Sequence, residues 1–251
     1  MAQPLLVFDV GNTHIKCALF DQGRMVKRTL FKTVRDGVAA DFSDQLKTFV
    51  GDGTPFNCVI ASVVRGAAEQ VQTCVRLFWH IEAVVVTAAM NLGICAGVPR
   101  PEAVGIDRLL EAAEAFRLVK GAVVVATLGS AVTVDLVSQD GVFRGGTILP
   151  GLSMGLGVLH VKTSLLPDVT LETPATVLGT DTASCMRAGV VYGMAGAVTR
   201  IYQELCALSA DRPKLVITGG DADVIGPFLS LPYQQEPDLV LRSLWWVFEH
   251  L

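Results

Sequence analysis

The sequences VFDVGNT at residues 7–13 and VATLGSA at residues 125–131 share one layout, in which an apolar run rich in branched residues ends in Gly and small residues. This pattern predicts a strand that ends in a tight turn. Aligned on Gly11 and Gly129, the two stretches lie about 118 residues apart. A layout repeated at about that distance indicates an internal duplication.

Each copy continues as a three-stranded meander followed by helices and further strands. The meander strands are predicted at Leu5–Val10, Ile15–Phe20 and Met25–Phe31, and again at Gly121–Leu128, Val132–Val137 and Val142–Leu149. Helices are predicted at Asp41–Val50 and Ala67–Phe78, from about Gly151, at Thr182–Leu208 and at Pro237–Leu251, and later strands at Asn57–Val64, Ala83–Thr87 and Lys214–Thr218. We therefore expect two α/β domains, residues 1–117 and 118–251, with a ligand cleft between their first hairpins.

The composition narrows the function classes. The 251 residues are 51% apolar and 18% charged, with a net charge of -4 and a pI of about 5.6. This balance argues against long disorder and against electrostatic binding to nucleic acid or anionic membranes. The start of the chain lacks a signal peptide pattern, and the longest uncharged stretches are shorter than a membrane span of about 20 residues. The six cysteines form no CxxC pair, so we expect small buried side chains and a cytoplasmic protein.

Three glycine-containing turns predict a site for nucleotide phosphates. Backbone N–H groups of such turns can converge on an anion because no side chain stands in the way. The residues are Gly11, Asn12 and Thr13 in the first copy, Gly129 and Ser130 in the second, and Thr218, Gly219 and Gly220 after a late strand. The third turn, at residues 218–220, could leave room for a flat base or a ribose. The alternative is that all three are ordinary hairpin or loop turns.

Asp9 precedes the first turn, where its carboxylate would repel phosphate unless a cation lies between them. It therefore indicates Mg²⁺, held partly through waters. Lys16 on the next predicted strand could contact phosphate, although a solvated strand lysine fits the sequence equally well.

A second group of candidates lies in the sequence VGIDRLL at residues 104–110, which opens a helix running to about Leu118. Phosphoryl transfer to a hydroxyl needs a proton acceptor, which Asp107 could supply, and a cation for an acidic substrate, which Arg108 could supply. Alternatively, Asp107 stabilises the helix N-terminus and Arg108 pairs with a nearby Glu. The residues alone do not decide between these interpretations.

Eight short motifs together resemble the type III pantothenate kinases, a family that includes the proteins called Bvg accessory factors. They are DVGNTHIK (9–16), GIDR (105–108), GSAVTVDLV (129–137), GGTILPG (145–151), TSLLP (163–167), LGTDT (178–182), AGVVYG (188–193) and TGG (218–220). They occur in the family's order over nearly the whole chain. The family belongs to the acetate kinase, sugar kinase, Hsp70 and actin superfamily, so the resemblance implies duplicated ribonuclease H-like (actin-like ATPase) domains.

The resemblance also implies an activity and a set of residue roles. A dimeric kinase would phosphorylate pantothenate to 4'-phosphopantothenate with ATP, Mg²⁺ and a monovalent cation, K⁺ or NH₄⁺, in the first step of coenzyme A synthesis. Asp9 would organise Mg²⁺ and phosphate, and Asp107 would be the general base. Gly105 and Arg108 would contact the substrate, and Thr182 would reach the pantothenate pocket across the dimer interface.

The chain departs from the family pattern at several positions. Thr127 stands where the family has Asp, Ser130 where it has Thr, Val98 where it commonly has Tyr, and Gly157 where it commonly has His. Thr127 supplies no formal charge and is at most a weak metal ligand. Asp135, at the end of the second hairpin, could partly replace that charge or could be a structural carboxylate.

These departures leave alternatives open. The chain could be a slower pantothenate kinase, a kinase for another small hydroxy acid, or a nucleotide-binding paralogue with weakened catalysis. The Bvg accessory factor label also suggests a regulatory role, but the acidic charge and the lack of a basic helix argue against direct DNA binding.

Overall fold

Two compact units make up the computed structural model, which describes residues 4–34, 37–51, 55 and 57–251. The first unit comprises Met1–Glu114 together with Asp238–Leu251, and the second comprises Ala115–Pro237. Within the described residues, no helix is long and apolar enough to cross a membrane.

The first unit is built on a mixed sheet with the strand order β4-β3-β2-β1-β5-β6. Its strands are β1 (Leu5–Val10), β2 (His14–Asp21), β3 (Arg24–Val34), β4 (Gly37–Val38), β5 (Asn57–Ser62) and β6 (Val84–Val85). Its helices are α1 (Phe42–Val50), α2 (Ala67–Trp79), the linking helix α3 (Ile106–Val119) and α7 (Leu239–Glu249). A short strand, β7 (Cys95–Ala96), and a 3-10 helix (Pro101–Ala103) precede α3.

β1 is the central strand of this sheet, and all six of its residues are buried. It pairs antiparallel with β2 and parallel with β5. α1 and α2 join Leu6, Phe8 and Val10 in one apolar core, and α7 also packs against β1. A strand that is buried on both faces of its sheet needs apolar residues at nearly every position. This explains why apolar and polar residues do not alternate along β1.

The second unit repeats the meander. Its strands are β8 (Val123–Leu128), β9 (Ala131–Val137), β10 (Val142–Pro150), β11 (Lys214–Thr218) and β12 (Gln234–Gln235), in the order β12-β11-β8-β9-β10. Its helices are α4 (Leu152–Lys162), α5 (Thr182–Leu208), α6 (Ala222–Ile225) and a 3-10 helix (Gly226–Phe228). α5 packs Val191, Met194 and Val198 against β8 and β9. The duplicated α/β architecture is thus confirmed.

The C-terminal helix differs from expectation. The sequence placed it in the second domain, whereas α7 packs on β1, β2 and β5 of the first unit. Trp245 stacks on Phe20 with ring centroids 6.1 Å apart, and Leu244 is fully buried. An apolar helix at a chain end can cover either sheet, so its sequence does not indicate which. The boundary inside α3 also falls after Glu114, three residues before the predicted one.

The cysteines follow the expectation only in part. Cys17 and Cys58 are buried, and burial raises the pKa of both thiols well above the ordinary value. Cys95 and Cys185 are exposed, so the expectation that all six are buried was wrong. Exposure of a cysteine depends on tertiary packing, which spacing does not reveal.

Candidate active site

The turn after β1 is held from beneath by β3. The Gly11 N–H donates to the His14 carbonyl over 3.1 Å, and the buried Thr33 hydroxyl donates to the Gly11 carbonyl over 2.8 Å. The Thr33 N–H donates to the Thr13 carbonyl. These bonds fix the backbone, while Asn12 and Thr13 are exposed to solvent. The turn is therefore a fixed backbone with an open outer face, as an anion site requires.

Asp9 and Lys16 form an ion pair beside this turn. The two residues lie directly opposite each other in the antiparallel pairing of β1 and β2, so their side chains share a face. Lys16 Nζ is 3.3 Å from Asp9 Oδ2, and Asp9 is only 5% exposed. Lys16 is therefore not the solvated strand lysine that the sequence allowed.

Asp107 lies at the start of α3. The Arg108 N–H donates to Asp107 Oδ1 over 2.8 Å, which is a bond available only in the first turn of a helix. A Cβ on Gly105 would lie 2.5 Å from Asp107 Oδ1, so this glycine leaves the room that the carboxylate occupies. Asp107 and Arg108 are both half-buried. Gly105 thus acts on the site through the position of Asp107.

Glu111 joins this group, and sequence reasoning missed it. It follows Asp107 by one helical turn and therefore lies on the same face of α3. Its Oε1 is 3.9 Å from Lys16 Nζ, and its side chain is 4% exposed. The four-residue spacing from Asp107 was the available signal, but nothing in the sequence linked α3 to Lys16. We name Asp9, Lys16, Asp107 and Glu111 the acid cluster.

Three carboxylates share one ammonium in the acid cluster, and the pKa values reflect this. Burial raises the pKa of Asp9, the Lys16 ammonium opposes that effect, and the charge of Asp107 adds to it. Burial also acts against the charged form of Lys16, but the carboxylates of Asp9 and Glu111 together outweigh it and raise the pKa of Lys16. The cluster carries excess negative charge, which favours an additional cation.

The second turn is held by the start of α4. The Gly129 N–H donates to the Ala131 carbonyl, and the Gly151 N–H donates to the Ser130 carbonyl over 3.1 Å. A Cβ on Gly151 would lie 2.0 Å from the Gly129 carbonyl oxygen, so only glycine permits this approach. Ser130 is exposed.

The turn after β11 lies beside the second turn. Thr218 is in register with Thr127 across the parallel pair β11–β8. Gly219 has a φ of +97°, and a Cβ there would lie 2.2 Å from the Leu128 carbonyl oxygen. The same carbonyl accepts the Asp221 N–H. The structure therefore brings Gly129, Ser130 and the TGG residues 218–220 to one edge of the second sheet.

Thr127 and Asp135 share one face of the second sheet. Thr127 is in register with Thr133, and Asp135 is in register with Val125, one row further from the turn. The sequence suggested that Asp135 lies at a strand end. The structure instead places it, buried, inside β9. A Cβ on Gly146 would lie 2.5 Å from Asp135 Oδ1, so the carboxylate lies over that glycine.

Thr182 is the first residue of α5 and is exposed. Asp181 caps this helix by accepting the Ser184 N–H, and this hydrogen bond lowers the pKa of Asp181. Among the residues that the structure describes, no three His, Cys, Asp or Glu side chains lie close enough to bind a metal by themselves. The ligand cleft between the first hairpins of the two units remains a prediction.

Comparison with known proteins identifies relatives of the whole chain. The sequence profile of the type III pantothenate kinase family matches residues 5–204. The type III pantothenate kinase of Agathobacter rectalis is 30% identical over 249 residues, which are 96% of this chain and 95% of that protein. The one from Streptomyces griseus is 32% identical, over 98% of this chain and 97% of that protein.

Solved structures show the same fold at low identity. A protein from Campylobacter jejuni described as a conserved Baf family transcriptional activator has a TM-score of 0.60 at 18% identity, over 98% of both chains. Component A of the (R)-2-hydroxyglutaryl-CoA dehydratase of Acidaminococcus fermentans has a TM-score of 0.56 at 13% identity, over 97% of this chain and 95% of that one. MreB 5 of Spiroplasma citri bound to AMPPNP has a TM-score of 0.52 at 11% identity, over 100% and 97%. These likenesses support the actin-like, ribonuclease H-like fold class.

Replacing Gly219 tests the edge formed by the second turn and the TGG residues. Gly219→Ala should lower the free energy of unfolding by roughly 2 kcal/mol or more, because an L side chain is strained at this φ and meets the Leu128 carbonyl. Gly220→Ala is the matched control, since its Cβ would meet nothing within 4 Å. It should change the free energy by less than about 0.5 kcal/mol. Urea unfolding measures both variants, and equal effects would contradict the packing described.

Replacing Asp9 tests the electrostatics of the acid cluster. The folded-state pKa of Asp9 lies above its ordinary value of 3.8, so its contribution to stability is complete below that value and is lost as the pH rises through the folded-state pKa. Asp9→Asn should therefore match the unaltered chain in acid and melt at a higher temperature near neutral pH. Thermal unfolding across this pH range measures the difference. Asp21→Asn, at the exposed end of β2, controls for loss of a carboxylate. A lower melting temperature for Asp9→Asn at neutral pH would contradict the prediction.

Proposed function

The chain belongs to the type III pantothenate kinase family, and we propose that it transfers the γ-phosphoryl group of ATP to the primary hydroxyl of pantothenate. The product would be 4'-phosphopantothenate, in the first step of coenzyme A synthesis. The observation that carries this proposal is the acid cluster beside the first turn, in a chain that matches its relatives over nearly their full length. Under this proposal the turn would bind phosphate, Asp9 would bind the cation and Asp107 would be the base.

Asp107 is the proposed general base. Its Oδ1 is held by the Arg108 N–H, so Oδ2 is the oxygen that we expect to accept the hydroxyl proton. As that proton moves to Asp107, the hydroxyl oxygen bonds to the γ-phosphorus and the bond from phosphorus to the β-bridging oxygen breaks, which releases ADP. Arg108 would bind the carboxylate of the substrate, and Gly105 would preserve the position of Asp107.

Asp9 is the residue of the acid cluster that would bind a divalent cation. Mg²⁺ prefers carboxylate oxygens and retains waters, so one carboxylate suffices when the other ligands come from elsewhere. Asp9 would hold Mg²⁺. When bound, this cation would neutralise part of the negative charge of the phosphates. The remaining ligands would come from the nucleotide and from water. Lys16 balances the charge of Asp9 in the free protein.

The turns would bind the nucleotide through the backbone. The N–H groups of Asn12 and Thr13 would donate to phosphate oxygens, since both residues are exposed above a fixed backbone. Gly11 would hold the turn in place through its bond to the His14 carbonyl. In the second unit, Gly129 and Ser130 would bind phosphate, and the TGG residues 218–220 would border the adenosine. The open space at Gly220 supports this last assignment.

Thr127 carries no formal charge. The monovalent cation that we propose, K⁺ or NH₄⁺, would therefore have Thr127 and the buried Asp135 as weak candidate ligands. With Val98 and Gly157 at positions that the resemblance places near the substrate, a different small hydroxy acid is the alternative substrate. We also propose a cytoplasmic protein whose partner is pantothenate, with no nucleic acid or membrane partner.

We further propose a homodimer formed through α4 and α5. On α4, Met154, Val158 and Val161 follow a helical spacing and are half-exposed or more. On α5, Gly189, Gly193 and Gly196 are exposed, and a Cβ at any of them would meet nothing within 4 Å. Each helical Gly costs about 1 kcal/mol relative to Ala, and within the described residues these three gain no close contact in return. The glycine face of α5 and the apolar face of α4 suit the approach of a second copy. The resemblance implies that this copy would bring its Thr182 near the substrate.

The activity is tested by incubating the purified protein with ATP, Mg²⁺, K⁺ and pantothenate and measuring phosphopantothenate by mass spectrometry. Asp107→Asn should lower kcat by about 10²- to 10⁴-fold, because the base is removed while the shape is kept. Glu102→Gln, an exposed residue of the 3-10 helix before the motif, is the matched control and should retain the rate. The absence of product above a blank with the unaltered protein would refute the function, and full activity of Asp107→Asn would refute its role as the base.

The dimer is tested with Gly193→Arg. This change should convert the dimer to a monomer in light scattering after gel filtration, because a long charged side chain would enter the interface. The substitution favours the helix itself, so misfolding is not the expected cause. Thr73→Arg, at an exposed position of α2, should leave the dimer intact. A monomeric unaltered protein, or a Gly193→Arg variant that stays dimeric, would contradict this interface.

A further inference from the structure

Glu111 is a buried acid beside the candidate active site that the proposed chemistry does not use. It lies on α3 between Leu110 and Ala112, both fully buried. An ionised carboxylate in such surroundings costs several kcal/mol unless it is paired. The Lys16 ammonium at 3.9 Å supplies a partner. Glu111 therefore belongs to the acid cluster through Lys16.

The Lys16 ammonium lies between two acids and forms a short hydrogen bond with neither. Its Nζ is 3.3 Å from Asp9 Oδ2 and 3.9 Å from Glu111 Oε1, whereas a short charge-assisted hydrogen bond measures about 2.7–2.9 Å. A shift of about 1 Å toward Glu111 would complete a hydrogen bond there. The flexible four-carbon stem of lysine allows such a shift without movement of the backbone.

Asp9 has two competing partners in the proposed reaction. In the free protein its carboxylate pairs with Lys16, but the proposed function requires the same carboxylate for a divalent cation. An ammonium and a dication in contact with one carboxylate repel each other strongly in a buried site. Lys16 must therefore move away from Asp9 when the cation binds, and Glu111, 3.9 Å from the ammonium, is the acid that lies within reach.

We propose that Glu111 is a positioning residue that draws the Lys16 ammonium away from Asp9 when Mg²⁺ and nucleotide bind. Lys16 then stays paired throughout, and the Asp9 carboxylate becomes available. Glu111 touches neither substrate nor cation in this scheme and acts only through Lys16. The inference rests on the proposed function insofar as Mg²⁺ and a nucleotide are the ligands.

The test measures cation binding without turnover. Mn²⁺, used in place of Mg²⁺, is titrated into the full chain with a non-hydrolysable ATP analogue, and free Mn²⁺ is followed by electron paramagnetic resonance. Glu111→Gln keeps the shape of the side chain but removes its charge, so Lys16 should remain on Asp9. We expect the Mn²⁺ dissociation constant to rise about tenfold. An unchanged constant would overturn the proposal.

A double-mutant cycle separates this role from a through-space effect of charge. In a Lys16→Met background there is no ammonium to move, so adding Glu111→Gln should change the Mn²⁺ dissociation constant less than twofold. If Glu111 attracted the cation directly, the tenfold loss would persist in that background. Equal losses in both backgrounds would therefore overturn the proposal.

Two further variants distinguish the proposed effect from damage to the fold. Glu114→Gln removes another buried carboxylate on α3 and should leave Mn²⁺ binding within twofold. If Glu111→Gln does not fold, as judged by thermal unfolding, Glu111→Asp keeps the charge but shortens its reach toward Lys16. It should weaken Mn²⁺ binding only when Lys16 is present, and an equal effect with and without Lys16 would refute the positioning role.

The proposed function is measured separately with the unaltered protein. If it binds Mn²⁺ with nucleotide and shows the coupling but does not phosphorylate pantothenate, the role of Glu111 stands and the substrate assignment fails. If it phosphorylates pantothenate and the cycle shows no coupling, the function stands and the role of Glu111 fails.

Discussion

The burial of an acid at the end of a central strand is the constraint on which the first unit depends. Asp9 belongs to β1, whose residues are all buried, so its carboxylate cannot be hydrated as it is in the unfolded chain. Lys16 opposite it on β2 supplies the nearest positive charge. α3 brings two more acids, Asp107 and Glu111, to the same ammonium. The sheet and the linking helix are thus joined by charge.

The second hairpin lacks the ion pair of the first. Asp9 and Lys16 face each other in the first hairpin, and Thr127 and Thr133 face each other at the corresponding place in the second. Thr133 Oγ1 is buried, and it has no hydrogen-bond partner within the described part of the chain. A pair of hydroxyls requires no balancing charge from a neighbouring helix. The duplication therefore kept the backbone of the turn, but at this facing pair of positions only the first copy carries formal charge.

Much of this architecture follows from local pattern. Both meanders were predicted from apolar runs and turn glycines, and α5 from the helical period of its apolar residues, because these signals are local and strong. Which of the two sheets α7 covers was not predictable, since Leu244 and Trp245 would suit any apolar surface. The two-residue strands β4 and β12 also carry no periodicity long enough to detect. Contacts between elements distant in sequence decide these features.

The candidate site divides in the same way. The turns and the GIDR motif could be found because their residue types and spacing are chemically unusual. Glu111 could not, since its sequence neighbours Leu110 and Ala112 describe an ordinary apolar helix. Its importance comes from the distance to Lys16, more than ninety residues away in the sequence. A motif shows which groups could react. The neighbouring charges that shift the pKa values of those groups become visible only when the fold places β2 next to α3.

Under the proposed function, the acid cluster also explains why the protein would take up the cation with its nucleotide. No group of three metal-binding side chains occurs in the ranges that the structure describes, so Asp9 alone is a weak ligand set. Lys16 further lowers the negative charge that a free cation would meet. Phosphate oxygens add the missing ligands, and the cation in turn offsets the negative charge of the phosphates. Cation and nucleotide thus favour each other's binding, because each removes a cost that the other would face alone.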